Sequence, residues 1–270
     1  MQSKAKAVQV STPDLANSYD AYYDSGLYNR RYPRPNANTV RQLSKVVRSG
    51  DFVLDFGCGD GRYVGSAVSL GAKVVGYDIS ASALRELSAR YSGEVARGAL
   101  RPVGGSLTDL TEVVGNGRLD AALMLFGVLG HIRRDAARLE TLQGVRALMR
   151  PGARLLATVP NALRRFRAEQ ADCARLVAEG ALEPGDILYQ RHTEAGPIDM
   201  YYHLFTVASF ADLLRRAGFT VESIGAESVL SESSVLTLPF GAALDRTLMA
   251  ATPLRAAYGF AIIATAGVAT

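Results

Sequence analysis

Residues 53–61 read Val-Leu-Asp-Phe-Gly-Cys-Gly-Asp-Gly, and residues 74–80 read Val-Val-Gly-Tyr-Asp-Ile-Ser. The first stretch has the composition of a short buried strand and continues into a glycine-rich turn, from which a helix is predicted to begin near Gly61. The second stretch is another apolar strand, and it ends in the acid Asp78. A strand, a glycine turn, a helix and a strand in this order form a βαβ unit, which places a ligand at the carboxyl ends of its strands.

The spacing of glycines and acids around this turn predicts a nucleoside ligand. A side chain at position 57, 59 or 61 would obstruct a sharp turn and a ligand that approaches the backbone. An acid at the end of the second strand can accept hydrogen bonds from both ribose hydroxyls, each contributing about 1.5–3 kcal/mol. The dinucleotide fingerprint G-x-G-x-x-G is not met, because Arg62 stands where a count from Gly57 requires glycine. A nicotinamide oxidoreductase is therefore disfavoured.

The pattern D-x-G-x-G-x-G that begins at Asp55, taken with Asp78, resembles motif I of the class I (Rossmann-like) S-adenosylmethionine-dependent methyltransferases. The resemblance covers residues 40–160 closely and residues 200–270 more loosely. It implies an α/β fold with a seven-stranded, mostly parallel sheet in the order 3-2-1-4-5-7-6 and helices on both faces. The implied segments are an N-terminal lid (1–45), a cofactor-binding core (46–160), a cap inserted after strand 5 (161–205) and the C-terminal part of the core sheet (206–270).

The resemblance also implies how the chain binds its methyl donor, S-adenosyl-L-methionine, and the product S-adenosyl-L-homocysteine. In such enzymes an acid at the position of Asp55 holds the amino group of the methionine moiety, and one at the position of Asp78 holds the ribose. Many relatives have a further acid near the adenine, and here Ser106 is expected to take its place. The other expected cofactor contacts are Gly57, Cys58, Gly59, Gly61, Ile79, Leu107, Phe126, Tyr28 and Arg31.

Hydrophobic periodicity places further elements along the chain. Apolar runs predict strands, and amphipathic stretches predict helices. The predicted strands are 100–105, 119–125, 154–159, 219–229 and 258–264, and the predicted helices are 36–48, 135–149, 162–180 and 209–217. Two extended pieces, 184–191 and 198–205, are expected to complete the cap.

Residues 19–35 combine five tyrosines with three arginines. One interpretation is a helix that packs its tyrosines on the surface of the domain. The other is a lid over the cofactor pocket, in which Arg31 or Arg34 pairs with a carboxylate through two parallel hydrogen bonds. Arg34 is accordingly a candidate for substrate binding.

Histidines supply the candidate general bases. His131 follows the fourth predicted strand, and imidazole can accept a proton near neutral pH. The alternative is a histidine that caps the following helix or holds the loop. In the cap, His203 is a second catalytic candidate and Tyr202 a substrate-binding one, although residues on a hairpin surface need no function. Asn161, at the end of the fifth strand, is the remaining substrate-binding candidate.

Composition indicates one α/β domain, with or without appendages. The 270 residues are 48% hydrophobic and 21% charged, and the net charge of +4 does not by itself indicate nucleic-acid binding. Cys58 and Cys173 offer neither a disulfide framework nor an iron–sulfur cluster, and no metal is expected. The start of the chain has no signal-peptide pattern, and residues 256–270 are too few for the ~18–20 residues of a membrane span. A cytoplasmic location is therefore expected.

The methyl acceptor remains open at this stage. Residues 31–33, 57–63 and 202–205 are similar to segments of wobble-uridine carboxymethyl tRNA methyltransferases, so a nucleic acid is one alternative. Residues 159–161, Val-Pro-Asn, are more typical of small-molecule enzymes, and the chain has no continuous basic strip. The favoured function is therefore methyl transfer to an O or N atom of a small organic acceptor. A catalytically silent cofactor-binding subunit that supports a partner is a further alternative, and the oligomeric state is not predicted.

Overall fold

The computed structural model describes residues 14–267, which form one large sheet, one two-stranded hairpin and the helices around them. The strands are β1 (Phe52–Phe56), β2 (Lys73–Tyr77), β3 (Leu100–Val103), β4 (Leu119–Met124), β5 (Met149–Pro160), β6 (Asp186–Thr193), β7 (Gly196–His203), β8 (Phe219–Ser228) and β9 (Gly259–Ala266). The helices are α1 (Leu15–Asp24), α2 (Leu27–Arg31), α3 (Ala37–Val46), α4 (Val64–Ser69), α5 (Ala81–Arg90), α6 (Ser92–Ala96), α7 (Leu107–Val114), α8 (Asp135–Leu148), α9 (Arg167–Ala178), α10 (Val207–Arg216), α11 (Glu232–Thr237) and α12 (Gly241–Ala251).

The large sheet has the strand order β3-β2-β1-β4-β5-β9-β8. Since β6 and β7 form the separate hairpin, β8 and β9 are the sixth and seventh strands of this sheet, and the predicted order 3-2-1-4-5-7-6 is confirmed. Strand β9 runs antiparallel to both β5 and β8, while the other pairs are parallel. The carboxyl end of β8 therefore lies at the same edge of the sheet as the carboxyl ends of β1, β2, β4 and β5.

Helices cover both faces of the sheet, as predicted. Alternate residues of a strand point to opposite faces, so Leu123 and Met124 enter different cores, although both are fully buried. The core on the side of Met124 includes apolar residues of α7, α8 and α10. The core on the side of Leu123 includes those of α3, α4 and α5.

Local hydrogen bonds explain where several helices begin. Ser80 caps α5, since its Oγ accepts a hydrogen bond from the backbone nitrogen of Ala83 (3.0 Å). Ser106 and Asp109 form a capping box at α7, a helix that hydrophobic periodicity did not predict. Helix α4 begins at Val64 instead of Gly61, because Gly61 still belongs to the turn and has a φ of +86°.

Two further boundaries differ from the prediction. Strand β5 begins at Met149 instead of 154, because Met149 pairs with Leu119 before the register shifts. Helix α9 begins at Arg167 instead of 162, because residues 162–166 form a turn whose backbone bonds to Asn161.

The hairpin β6–β7 and α9 form the predicted cap. Paired residues of an antiparallel hairpin share a face, and neighbouring residues along a strand point to opposite faces. One face of the hairpin carries Ile187, Tyr189, Arg191 and Tyr202, and the other carries Asp186, Tyr201 and His203. The second face is tied to α8, because the buried side chain of Arg138 donates hydrogen bonds to Glu183 (2.6 Å) and to Tyr201 (3.3 Å).

Helices α1 and α2 lie across the carboxyl edge of the sheet and connect the core to the cap. The Asp20 carboxylate accepts hydrogen bonds from Ser80 Oγ (2.6 Å) and Ser82 N (3.0 Å), and Ser18 donates to the hairpin at Asp199 O (2.9 Å). Residues 1–13 of the predicted lid and residues 268–270 lie outside the part that the structure describes. Within residues 14–267, no helix combines the length and the apolar composition that a membrane crossing needs.

Candidate active site

A cavity of about 290 Å³ opens at the carboxyl edge of the sheet, between the core, helices α1 and α2, and the cap. Its walls come from the turn after β1, the ends of β2, β5 and β8, the turn after β4 and the inward face of the hairpin. Within residues 14–267, twelve of the thirty lining residues are tyrosine or phenylalanine, and several charged groups lie among them. This is the position that the βαβ unit predicts for a ligand.

The three glycines of the turn serve different purposes. A Cβ at Gly57 would lie 2.2 Å from Val128 Cγ2, and one at Gly59 would lie 2.2 Å from the hydroxyl of Tyr23. A Cβ at Gly61 would collide with Leu87 Cδ1 at 2.4 Å. Gly57, which lines the cavity, therefore admits Val128 of the turn after β4, Gly59 admits the N-terminal helix, and Gly61 permits packing against α5.

The candidate cofactor contacts divide into two groups. Those that line the cavity are Gly57, Asp78, Ile79, Leu107, Phe126 and Tyr28. Cys58 instead packs in the core beneath the turn, and Ser106 caps α7. Arg31 is exposed and donates to the hydroxyl of Tyr32 (3.0 Å).

Asp78 is fixed by the turn that it faces. Its carboxylate accepts hydrogen bonds from Gly59 N (2.8 Å) and Ser80 N (2.9 Å). Burial raises the pKa of Asp78 above its ordinary value, while these backbone hydrogen bonds oppose the shift. The carboxylate is thereby held at the end of β2, where the resemblance implies a contact with the ribose.

Asp55 is not among the residues that line the cavity; it lies in β1 just before the lining residues Phe56 and Gly57, and it is a buried acid without a partner in the described part of the chain. Its side chain is 2% exposed, and no hydrogen bond reaches its carboxyl group from residues 14–267. Burial, and next the charge of Asp78, raise the pKa of Asp55 to about 7. A buried carboxylate without a partner favours binding of a cationic group, and the amino group of S-adenosylmethionine is such a group. Asp78 in the cavity wall and Asp55 beside it are therefore compatible with this cofactor.

Arg62 fastens the N-terminal segment beside the cavity, a role that the sequence did not reveal. It is 6% exposed and forms an ion pair with Glu232, and its Nε donates to Arg34 O (3.0 Å). Its guanidinium carbon lies 4.6 Å from the centre of the Phe126 ring. The side chain of Arg34 donates to Leu236 O and stays outside the cavity wall.

His131 lines the cavity, and both of its ring nitrogens have partners. Nδ1 lies 3.2 Å from the carbonyl oxygen of Tyr201, and Nε2 lies 2.7 Å from the hydroxyl of Tyr19. Since a carbonyl oxygen only accepts, Nδ1 carries the proton and Nε2 accepts the hydrogen bond of Tyr19. Burial lowers the pKa of His131 to about 4, so the ring is neutral and orients Tyr19. Tyr202 stacks on the ring at 4.3 Å and also lines the cavity.

The structure places His203 and Asn161, the remaining catalytic and substrate-binding candidates, away from the cavity wall. His203 Nδ1 bonds to Asp186 (2.7 Å) on the outer face of the hairpin. Possible metal-ligand atoms of Glu183, Asp186 and His203 lie within 4.8 Å of one another, but Arg138 and Tyr201 already bond to the two carboxylates. This cluster therefore serves to anchor the cap.

Asn161 bonds only to the backbone around the base of the cap. Its amide nitrogen donates to Arg255 O (3.0 Å) and Ala257 O (2.8 Å), and its oxygen accepts from Leu163 N (2.9 Å). These bonds join the end of β5 to the segment that leads into β9. Both amide hydrogens are used and the side chain is fully buried outside the cavity wall, so Asn161 does not present a group to a ligand in this arrangement.

Four charged residues that line the cavity were not among the sequence candidates: Glu227, Glu232, Arg165 and Arg191. Glu227 lies near the carboxyl end of β8 and accepts a hydrogen bond from Thr39 Oγ1 (3.3 Å). Burial, and next the charge of Glu232, raise the pKa of Glu227 to about 7. The sequence did contain one indication of Glu227, because it is an acid close to the carboxyl end of the predicted strand 219–229. In the predicted strand order that end lies at the edge of the sheet where the ligand binds.

Solved structures of the same fold are S-adenosylmethionine-dependent methyltransferases. A methyltransferase of this class from Methanosarcina mazei is 20% identical, with a TM-score of 0.63 and coverage of 84% of this chain and 97% of that one. The CcbJ methyltransferase of Streptomyces caelestis is 15% identical, with a TM-score of 0.65 and coverage of 96% and 100%.

A third neighbour has a ligand-bound site. The 1,6-didemethyltoxoflavin-N1-methyltransferase of Burkholderia thailandensis, solved with 1,6-didemethyltoxoflavin and S-adenosylhomocysteine, is 20% identical. Its TM-score is 0.56, and the likeness covers 96% of this chain and 92% of that one. No curated protein matches the chain significantly in sequence.

Because these solved structures share only 15–20% sequence identity with the chain, they establish its fold alone. Its family is established by a match to a sequence profile. Residues 28–224 match the profile of a methyltransferase domain family. This match covers more than half of the 270 residues and includes the glycine turn, Asp78 and the whole cap. The chain therefore belongs to that family, as a class I enzyme with S-adenosylmethionine as its cofactor.

Proposed function

We propose that the enzyme transfers the methyl group to an O or N atom of a small organic acceptor. The observation that carries the proposal is the shape of the cavity: about 290 Å³, lined by aromatic side chains and covered by the cap and the N-terminal helices. Small-molecule sites are concave and largely apolar, with a few polar groups placed for orientation. The neighbour that binds 1,6-didemethyltoxoflavin has a small organic molecule in a site of the same fold, which supports the proposal.

The chain's residues would mainly align the two reactants and exclude water. The cofactor supplies a sulfonium-bound methyl group that is already electrophilic. Asp55 and Asp78 hold the cofactor by its amino group and ribose, and the aromatic walls orient a flat acceptor. Alignment of this kind can lower the barrier by several kcal/mol, up to roughly 7–11 kcal/mol in the best intramolecular cases.

Glu227 is the proton acceptor that the geometry favours for an acceptor hydroxyl or amine. It lies at the cavity wall with a pKa of about 7, whereas His131 uses Nε2 to accept the hydrogen bond of Tyr19 and has a pKa of about 4. A general base is most effective when its pKa lies near the working pH. We assign His131 the task of orienting Tyr19 over the cavity.

Direct binding and transfer assays test the proposed function. We expect calorimetry to show S-adenosylhomocysteine binding and no NAD binding. Transfer of labelled methyl groups should occur to members of a panel of small phenols, carboxylic acids and amines. Methylation of tRNA, with binding that weakens steeply between two salt concentrations, would instead support the nucleic-acid alternative. Cofactor binding with no transfer to either class of acceptor would contradict the proposed reaction.

A further inference from the structure

Two arginines of the cap line the cavity without a carboxylate partner. Arg165 lies in the turn before α9, and Arg191 lies on the inward face of β6. Within residues 14–267, neither guanidinium has a carboxylate oxygen within 4.0 Å. The Nε atom of Arg191 is moreover buried without a hydrogen-bond partner. Arg62 and Arg138 show the opposite behaviour, since each is buried and paired with a glutamate.

Aromatic rings hold both charges in place without neutralising them. The guanidinium carbon of Arg165 lies 4.3 Å from the centre of the Tyr258 ring and 4.8 Å from that of Phe166. The guanidinium carbon of Arg191 lies 4.8 Å from the centre of the Tyr189 ring. Such cation–π contacts fix a guanidinium and leave its N–H donors available. Two fixed, partly desolvated cations at one cavity wall are suited to an anion.

The other acids of the cavity are engaged elsewhere. Glu232 is paired with Arg62, and Asp78 is held by the backbone of the glycine turn. Glu227 faces the same cavity, but it accepts its hydrogen bond from Thr39 and lies beyond ion-pair distance of both cap arginines. Glu227 therefore acts on Arg165 only from beyond ion-pair distance, and an anionic ligand would supply the direct anionic partner that both cap arginines lack among the described residues.

The strand order indicates which ligand carries that charge. Asp78 immediately follows β2, whereas Arg165 contacts Tyr258, which immediately precedes β9. Four strand spacings of about 4.8 Å separate β2 from β9, which amounts to roughly 19 Å along the edge. Arg165 therefore lies at the end of the cavity opposite the ribose-binding acid, which is the acceptor end.

We propose that Arg165 and Arg191 bind the carboxylate of a planar aromatic acid, which is the methyl acceptor. This inference rests on the proposed function and names its substrate class. The ring would lie among Phe166, Tyr189 and Tyr202, three aromatic side chains that the cap contributes to the cavity. The carboxylate would accept hydrogen bonds from the two guanidinium groups, and the nucleophilic O or N atom would face Glu227 and the methyl donor.

Matched probes test the charge requirement directly. We would titrate 4-hydroxybenzoate and 4-hydroxybenzamide into protein saturated with S-adenosylhomocysteine, because the two probes differ mainly in charge. We expect the acid to bind at least about tenfold more tightly than the amide. In R165Q and in R191Q, affinity for the acid should fall by about tenfold or more, while affinity for the amide changes less than about threefold. R165K keeps the charge and should retain part of the preference.

The matched control is R167Q, which removes a positive charge from an exposed position of the same segment and should leave both affinities unchanged. An acid that binds no more tightly than the amide, including absence of binding by either, overturns the proposal. So does a tenfold loss of S-adenosylhomocysteine affinity in R165Q or R191Q, since the arginines would then bind the cofactor's own carboxylate. Failure of wild-type protein to bind S-adenosylhomocysteine would instead contradict the proposed function itself, so the two failures are distinguishable.

Discussion

Asp78 illustrates how the backbone prepares a single side chain for a ligand. Gly59 N and Ser80 N hold its carboxylate at the cavity wall before any cofactor arrives. We expect Asp78→Ala to lose at least about tenfold in affinity for S-adenosylhomocysteine, because one or two charge-assisted hydrogen bonds to the ribose disappear. Titration calorimetry measures this loss. Glu112→Ala, which removes an exposed acid further along α7, should leave the affinity unchanged.

Glu227 should determine how the reaction rate depends on pH. A general base acts in its deprotonated form, so the turnover rate should rise with pH and level off above the pKa of Glu227, about 7. If His131 were the base, the rise would centre near its pKa of about 4. The pH profile of kcat at saturating acceptor therefore distinguishes the two residues.

The variant Glu227→Gln tests the same assignment independently of the profile. It should lower kcat by roughly 10²–10⁴-fold and remove the rise near neutral pH, because the amide cannot accept the proton. Affinity for S-adenosylhomocysteine should stay within about twofold of wild type. An unchanged turnover rate in this variant would show that Glu227 is not the general base and that solvent or His131 accepts the proton.

At the scale of elements, the hairpin acts through its two faces. Tyr189, Arg191 and Tyr202 face the cavity, while Asp186 and His203 face α8. Although burial opposes it, hydrogen bonds from His203 and Tyr201 lower the pKa of Asp186. At pH values above the ordinary pKa of an aspartate, this carboxylate therefore stabilises the folded state in full. The stabilisation is lost only as the pH falls through the lowered pKa of Asp186. The anchor should hold the cap in place throughout the neutral range.

Removal of the buried cation should loosen this anchor. Arg138→Gln leaves the carboxylate of Glu183 without its guanidinium and removes the hydrogen bond to Tyr201, which should lower the free energy of unfolding by about 3 kcal/mol. Urea denaturation measures the change, and limited proteolysis should show faster cleavage within residues 161–205. Arg175→Gln breaks an exposed pair on α9 and should change neither readout. If the two variants changed the unfolding free energy and the cleavage rate equally, Arg138 would not be the residue that anchors the cap.

Sequence reasoning worked best where the signal is local. The strands on either side of the glycine turn and the position of Asp78 all follow from residues that are close in sequence. His203 and Tyr202 show where such reasoning stops, because adjacent strand residues point to opposite faces and the pattern does not show which face meets the cavity. Glu227 and Arg165 join the site only through the strand order and the docking of the cap. These are long-range contacts that no local spacing encodes.

For the whole molecule, the site concentrates charge that the fold does not neutralise by itself. Asp55 is buried without a partner, and Arg165 and Arg191 have no acid within ion-pair distance among residues 14–267. The unpaired negative charge of Asp55 lies at β1, and the unpaired positive charges of the two arginines lie beside β9, on the other side of the centre of the sheet. A cationic cofactor and an anionic acceptor would each compensate one of them. Binding of both should therefore stabilise the enzyme more than either alone.

Asp55 gives this argument a measurable consequence for the unbound protein. Its pKa in the folded state, about 7, lies above the ordinary value of 3.8, so the folded state binds the proton more tightly than the unfolded state does. Its contribution to stability is therefore fully present below pH 3.8 and is lost as the pH rises through about 7. At 1.36 kcal/mol per pH unit, the loss amounts to roughly 4 kcal/mol at most.

We expect the melting temperature of the cofactor-free enzyme to fall between pH 5 and pH 8, with a shallower fall in Asp55→Asn. Glu227 has a similar pKa and should contribute to the same trend, so Glu227→Gln serves as the companion variant. Saturation with S-adenosylhomocysteine should flatten the wild-type profile, because its amino group supplies the positive charge that Asp55 lacks. Melting curves of the three proteins, with and without ligand, provide the test. A wild-type profile that S-adenosylhomocysteine shifts equally at every pH would show that Asp55 does not bind the amino group.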